Sequence, residues 1–212
     1  MPADYTLWFS PGACSRVSLI ALEACGADYE LRHVPLAQGA NKEAAYLALN
    51  PKGKVPLLET SLGLLSENVA IVSWLDSRHP QAGLLPPHNP WQRVQALSLM
   101  SWCASTLHPM IYRVRMTARI HDDAATHAQI KALALAELAA QMQVAEQRLE
   151  AGPWLMGEAW SMADPYLFWV WSRGTESGLD KTRYPRVAAH AERLAARPEV
   201  QRALAREAAA AA

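Results

Sequence analysis

Cys14 lies in the run Ser10-Pro11-Gly12-Ala13-Cys14-Ser15-Arg16, between a strand-like segment and a helix-like one. Tyr5-Thr6-Leu7-Trp8-Phe9 before it is aromatic and β-branched, which suits a short buried strand. Val17, Ile20, Ala21 and Ala24 after it share one helical face. Ser10, Pro11 and Gly12 supply the turn between them. This spacing predicts a thiol at a helix N-terminus, where unpaired backbone N–H groups favour negative charge. A thiol held there is expected to be partly exposed and to ionise easily, and the thiolate is the reactive form. The competing reading is a buried cysteine used as a small apolar residue.

Other residues offer chemistry only in context. Glu67 and Asn68 open a helical run, where an acid complements the helix dipole. Pro56 interrupts the apolar run Lys54-Val55-Pro56-Leu57-Leu58-Glu59, and a strand proline ordinarily marks an edge. His108, in Thr106-Leu107-His108-Pro109, reads by default as a core or surface histidine, and Pro109 should kink its helix. Cys25 and Cys103 are far from Cys14 in sequence, which argues against a disulfide framework or a zinc site. Cys25 falls near the end of its helix, where the dipole disfavours a thiolate, and Cys103 lies in an apolar helix; neither is expected to react. His121 and His127 are six residues apart and do not place two metal ligands on one helical face. No metal is expected.

The elements that must position these groups alternate in residues 1–80. A strand at Tyr5–Phe9, a helix, a strand at Tyr29–Val34 and a short helix at Lys42–Leu49 come first. A strand over Lys54–Glu59 then pairs as a hairpin with Leu62–Leu65, and a helix runs from Glu67 to His79. The order βαβαββα predicts an α/β domain with a mixed sheet. Residues 81–90 read as a proline-rich linker containing Pro86, Pro87 and Pro90. Residues 91–212 read as an all-α domain. Ile130, Leu133, Leu138, Met142, Ala145 and Leu149 keep a helical rhythm that Gly152-Pro153 ends. Ser161-Met162-Ala163-Asp164 resembles a capping box, and two shorter helices from Pro185 are broken at Arg197-Pro198.

Composition narrows the functional classes. Lys plus Arg and Asp plus Glu are 20 each, and 51% of the 212 residues are apolar. That balance offers no basic stripe for nucleic acid. Apolar runs are too short for a membrane helix, and Met1-Pro2-Ala3-Asp4 lacks signal-peptide order. A reducing cytoplasm is the expected location. Trp91, Val94, Leu97, Leu99, Met100 and Trp102 give one helix more than one apolar face, and the face outside the core calls for a partner.

The order and local motifs resemble the cytosolic glutathione transferases, with a thioredoxin-like first half and a helical second half. Phe9–Ser15 is similar to the N-terminal signature of the bacterial beta class. Asn50–Leu58 resembles the segment leading to that family's cis-proline, and Leu65–Ile71 its γ-glutamyl-binding turn. Ser161–Asp164 with Tyr166-Leu167-Phe168 resembles its capping box, and Arg197–Val200 its last helix. The resemblance implies an enzyme that joins glutathione to a hydrophobic electrophile, working as a homodimer. It implies a cis Val55–Pro56 bond that leaves Val55's backbone free to take glutathione as an added strand. It further implies glutathione contacts from Cys14, Ser15, Lys54, Val55, Pro56, Glu67, Asn68 and His108, and an electrophile pocket of Phe9, Tyr112, Arg113 and Arg173.

Departures from the beta pattern are Gln38 for a lysine, with Lys42 a substitute; Pro109 for a lysine; and Phe9 for a tyrosine. Arg16 gives the turn some character of the zeta class, which isomerises maleylacetoacetate, so a zeta-like isomerase is one alternative. Another is a thiol transferase that reduces disulfides through Cys14, with glutathione as resolving thiol. A non-catalytic binding module is a third, against which the joint presence of Cys14, Pro56 and Glu67 argues.

Overall fold

A computed structural model describes residues 3–86 and 89–210. The chain divides into two compact units, residues 1–87 with 196–212 and residues 88–195.

The first unit is built on a four-stranded sheet. Its strands are β1 (Tyr5–Phe9), β2 (Tyr29–His33), β3 (Leu57–Thr60) and β4 (Gly63–Ser66), in the order β2-β1-β3-β4. β1 pairs parallel with β2 and antiparallel with β3, which pairs antiparallel with β4. Leu7 and Phe9 alternate inward along β1, as period two requires, and both are fully buried. Helices α1 (Ser15–Cys25), α2 (Ala44–Leu49) and α3 (Asn68–Arg78) intervene, giving the βαβαββα order the sequence predicts. Val17, Ile20, Ile71, Val72 and Leu75 bring α1 and α3 into the core.

Two boundaries differ from expectation. β3 starts at Leu57, so Lys54, Val55 and Pro56 precede the strand instead of belonging to it. The Val55–Pro56 bond is cis. Residues 81–86 are also less linker-like than their prolines suggest. Leu84 and Leu85 are buried, and the Leu85 N–H donates to Asp76 at 3.0 Å. Pro87 and His88, within the expected linker, lie outside the described residues, as do Ala211 and Ala212 of the terminal alanine run.

The last helix, α9 (Pro198–Ala209), belongs to this first unit, although the sequence reading grouped it with 91–212. It packs along α1, and the reason is electrostatic as well as apolar. Buried Glu23 accepts from Arg202 Nε at 2.7 Å and Arg206 Nε at 2.9 Å, and from the Tyr29 hydroxyl. Val200 and Ala203 are fully buried beside these contacts.

The second unit is helical: α4 (Pro90–Trp102), α5 (His108–Arg115), α6 (Ala124–Arg148), α7 (Ala163–Glu176) and α8 (Pro185–Ala195). The helical path is interrupted just before Pro109: a five-residue π-helical turn, Cys103–Leu107, joins α4 to α5, and Pro109 falls in the first turn of α5, where a proline's missing N–H costs least. On α6 the buried face includes Ala134, Leu138, Met142 and Ala145, and buried Leu149 follows just beyond its end, while Leu133, expected on that face, is 65% exposed. Half of the capping box forms: Asp164 Oδ2 accepts the Ser161 N–H at 2.8 Å, while the Ser161 hydroxyl takes the Ala163 N–H at 3.4 Å instead of that of Asp164. The other Asp164 oxygen takes the Leu155 N–H and pairs with His190 Nε2 at 2.9 Å, so one buried carboxylate joins three segments. On α4, Leu99 and Met100 face the core, whereas Trp91 and Val94 are exposed, so the outward apolar face is narrower than the sequence suggests.

Candidate active site

The turn before α1 is closed by Ser15. Its hydroxyl accepts the Ser10 N–H at 3.2 Å and donates to the Ser10 carbonyl at 3.3 Å. Gly12 takes φ 73°, a left-handed conformation that only glycine adopts without cost. The turn therefore ends with Cys14 at the N-cap of α1, where no side chain caps the helix. Ser15 is fully buried, so its side chain serves the turn.

The thiol's environment corrects the expectation of an exposed, acidic cysteine. Cys14 is 8% exposed, and its Sγ donates to the Val55 carbonyl across 3.5 Å. Burial pushes the thiol up to about 12, and the nearby Glu67 carboxylate adds to the rise. The Asn68 amide and the Lys54 ammonium pull the other way without reversing it. Desolvation outweighs the helix N-terminus, and the thiol is protonated at neutral pH. Cys25 is likewise pushed up to about 12, and fully buried Cys103 is pushed up further by burial.

Asn68 turns inward. Its Oδ1 accepts from the Ser18 hydroxyl at 2.7 Å and its Nδ2 donates to the Cys14 carbonyl at 3.1 Å. The side chain is thus engaged with α1 and supports Cys14, where the sequence reading sent it toward glutathione. Glu67 points the other way. It is the one described non-glycine residue with positive φ, 77°, and it stands exposed at the N-cap of α3 with no side-chain capping bond. Strained backbone of this kind persists where surrounding structure holds it, commonly at ligand sites. Its carboxylate pairs with Lys52 Nζ at 2.8 Å, an exposed contact of little net strength. Lys52 also donates to the Ser66 hydroxyl at 3.0 Å; sequence reasoning did not single it out, because no local pattern signals a partner fifteen residues away.

The segment between these two sites is fixed by its backbone. The Lys54 carbonyl accepts from the Tyr46 hydroxyl and from Asn50 Nδ2, both at 2.7 Å. Asn41 Nδ2 donates to the Gly53 carbonyl at 2.8 Å. The Lys54 side chain is exposed. A side chain at Gly53 would come within 3.1 Å of Lys42 Nζ, which places that ammonium against the same turn. Gln38 lies exposed in a separate short turn, Leu36–Gln38.

Phe9 is fully buried in the sheet and packs on His33, which removes it from any pocket wall. The remaining candidates belong to the second unit. His108 Nδ1 lies 3.2 Å from the Tyr166 hydroxyl, and its ring stands edge-on to Trp169 at 4.5 Å. Tyr112 and Arg113 are exposed on α5. Arg173 is mostly buried and pairs with Glu176 at 3.0 Å, which also takes Arg115 at 3.3 Å; its guanidinium is part of an ion cluster within the helical unit.

Comparison with known proteins fits this layout. Residues 11–78 match the family model for the glutathione S-transferase N-terminal domain, and residues 112–207 that for the C-terminal domain. Glutathione S-transferase GstA of Escherichia coli O157:H7 is 34% identical over 205 residues, covering 95% of this chain and 98% of the relative. The disulfide-bond oxidoreductase YfcG of Escherichia coli K12 is 28% identical over 210 residues, 93% of each chain. A glutathione transferase homologue from Sulfitobacter, solved with bound glutathione, has a TM-score of 0.86 at 31% identity, covering 94% of this chain and 96% of its own. A sphingomonad glutathione S-transferase complexed with glutathione has a TM-score of 0.84 at 33% identity, covering 96% and 98%.

Proposed function

The chain belongs to the glutathione S-transferase family, and on that premise we propose how its first unit takes glutathione and what the thiol of Cys14 does there. Glu67 receives the γ-glutamyl ammonium, with Lys52 giving way because an exposed ion pair costs little to break. The γ-glutamyl carboxylate docks on the N–H groups at the start of α3, where no side chain competes. The cysteinyl backbone lies along Val55, which precedes the strand ladder. The side chains of Ser15 and Asn68 serve the site from behind, by fixing Cys14.

The observation that carries the mechanism is that the Cys14 thiol is buried at the start of α1 with its Sγ directed at the Val55 carbonyl. A buried neutral thiol at a helix N-terminus is a hydrogen-bond donor, and it already donates to the Val55 carbonyl. When glutathione binds, the thiol exchanges that acceptor for the glutathione sulfur and stabilises it as a thiolate. The glutathione thiol loses its proton to solvent. Its sulfur then forms a bond to the electrophilic carbon as the leaving group departs with the bonding pair. The electrophile is a hydrophobic small molecule. Exposed Trp91 and Val94 on α4 and exposed Leu62 and Leu64 on the β4 hairpin support a homodimer. No helix among the described residues is long and apolar enough to cross a membrane. The described cysteines are all free thiols, which accords with a cytoplasmic location.

A second reading has support in the same thiol. Cys14 attacking a disulfide, with glutathione resolving the mixed disulfide, is the chemistry that similarity to the disulfide-bond oxidoreductase favours. The two separate in one experiment, with chlorodinitrobenzene and hydroxyethyl disulfide as substrates. Conjugation that persists in Cys14→Ser and falls in Cys14→Ala supports the donor role. Disulfide reduction lost equally in both variants, without measurable conjugation in the native protein, replaces it with the second reading.

A further inference from the structure

We propose that Glu207, in the last turn of α9, is a positioning residue for the thiol-bearing turn. The inference rests on the glutathione site proposed above.

Glu207 is 4% exposed, and each of its oxygens has a separate task. Oε1 accepts the N–H of Gly12, two residues before Cys14. Oε2 accepts from Arg16 Nε at 2.7 Å, two residues after it. One carboxylate therefore grips both flanks of the cysteine from a position nearly two hundred residues later in the chain. Arg16 is itself 9% exposed, so the pair is a buried, charge-assisted clamp and not a surface contact. Gly12 is where the grip matters. Its left-handed backbone sets the direction in which the chain enters α1, and loss of that acceptor removes one restraint on a residue with wide conformational freedom. The Ser15 hydroxyl closes the turn from inside; Glu207 holds it from outside.

A control is built into the same helix pair. Glu23 joins α1 to α9 through Arg202 and Arg206, toward the other end of α1 and away from the turn. Breaking that junction loosens the helix packing without touching Gly12. A purely structural Glu207 would behave like Arg202. A positioning Glu207 would change glutathione affinity, because a loosened turn lowers the fraction of protein competent to bind, and apparent affinity falls by that fraction.

The test compares Glu207→Ala, Glu207→Gln, Glu207→Asp and Arg202→Ala in the full chain. Glu207→Ala is expected to raise the KM for glutathione about tenfold, with a smaller change in kcat. Glu207→Gln, which keeps an acceptor for Gly12, should recover most of that loss. Arg202→Ala should leave KM within about twofold of native even where its melting temperature falls as far. Amide hydrogen exchange at Gly12 gives a readout that needs no glutathione: it should accelerate in Glu207→Ala and not in Arg202→Ala. Should the alanine variant fail to fold, Glu207→Asp, one methylene short, carries the same comparison. Native exchange at Gly12 in the alanine or aspartate variant, or an equal rise in KM from Arg202→Ala, overturns the proposal. A native protein without glutathione turnover, but with Gly12 exchange released by Glu207→Ala, keeps the clamp and rejects the function.

Discussion

At the scale of single residues, two opposed effects act on one sulfur. A helix N-terminus favours a thiolate by a fraction of the dipole's modest strength, while removal from water penalises it far more. The local sequence around Cys14 announces only the first effect. Burial depends on what covers the turn, and that is supplied by Val55, Asn68 and the packing of α3, none of them neighbours in sequence. Alkylation of Cys14 by iodoacetamide should therefore be slow at pH 7 and rise about tenfold per pH unit well past pH 9. A plateau below pH 8, measured by mass mapping, would restore the acidic cysteine. Glu67 offers a second residue-scale test. Replacing it with Ala removes a charge-assisted bond to an ammonium, worth about 1.5–3 kcal/mol, and should weaken glutathione binding about tenfold to a hundredfold by calorimetry. Unchanged affinity would leave Glu67 an ordinary helix-start acid. The strained φ of that residue was not legible in the sequence, since Glu carries no mark of a left-handed turn.

At the scale of elements, periodicity and capping chemistry were sufficient to place most helices and strands. Val17 and Ile20 on one face announced α1, and Ser161 with Asp164 announced the start of α7, because those signals act within a few residues. Signals failed where the deciding partner was remote. Lys54–Pro56 read as strand because its composition is apolar, yet β3 pairs with β1 only from Leu57 onward. Asp164 shows how far a local motif can reach once folded. It caps its own helix, takes the Leu155 N–H and binds buried His190. Asp164→Ala should destabilise the protein by about 3–5 kcal/mol, since it strands several buried donors, and Asp164→Asn by less. Urea denaturation measures both; a loss under about 1 kcal/mol for the alanine variant would mean water replaces the carboxylate.

At the scale of the whole molecule, stability carries the signature of its buried thiols. Cys14 and Cys103 are nearly inaccessible, and burial raises both. Below the ordinary thiol range both states hold the proton, and nothing is lost. Above about pH 9 the unfolded chain releases protons that the native protein retains, so stability falls as pH rises toward the folded values. Each thiol contributes at most about 1.4 kcal/mol per pH unit. Urea midpoints at pH 8 and pH 10 should fall apart in the native protein and lie closer together in Cys103→Ser; identical pH dependence would remove Cys103 from the account. Light scattering at micromolar concentration should report a dimer. Composition made the class of molecule legible, and the motif order made the family legible. The grouping of α9 with the first unit was not, because Glu23 and Glu207 find their arginines some 180 to 190 residues away.

That grouping orders events during synthesis. The ribosome delivers the strands and the thiol-bearing turn first, but the helix that completes their unit arrives only with residues 198–209. Residues 88–195 can collapse on local contacts while the earlier segment waits with one flank of α1 uncovered. A premature stop near residue 197 would thus leave its damage at the opposite end of the sequence, around Cys14. The turn that bears the thiol gains its outer contact only once α9 has been made.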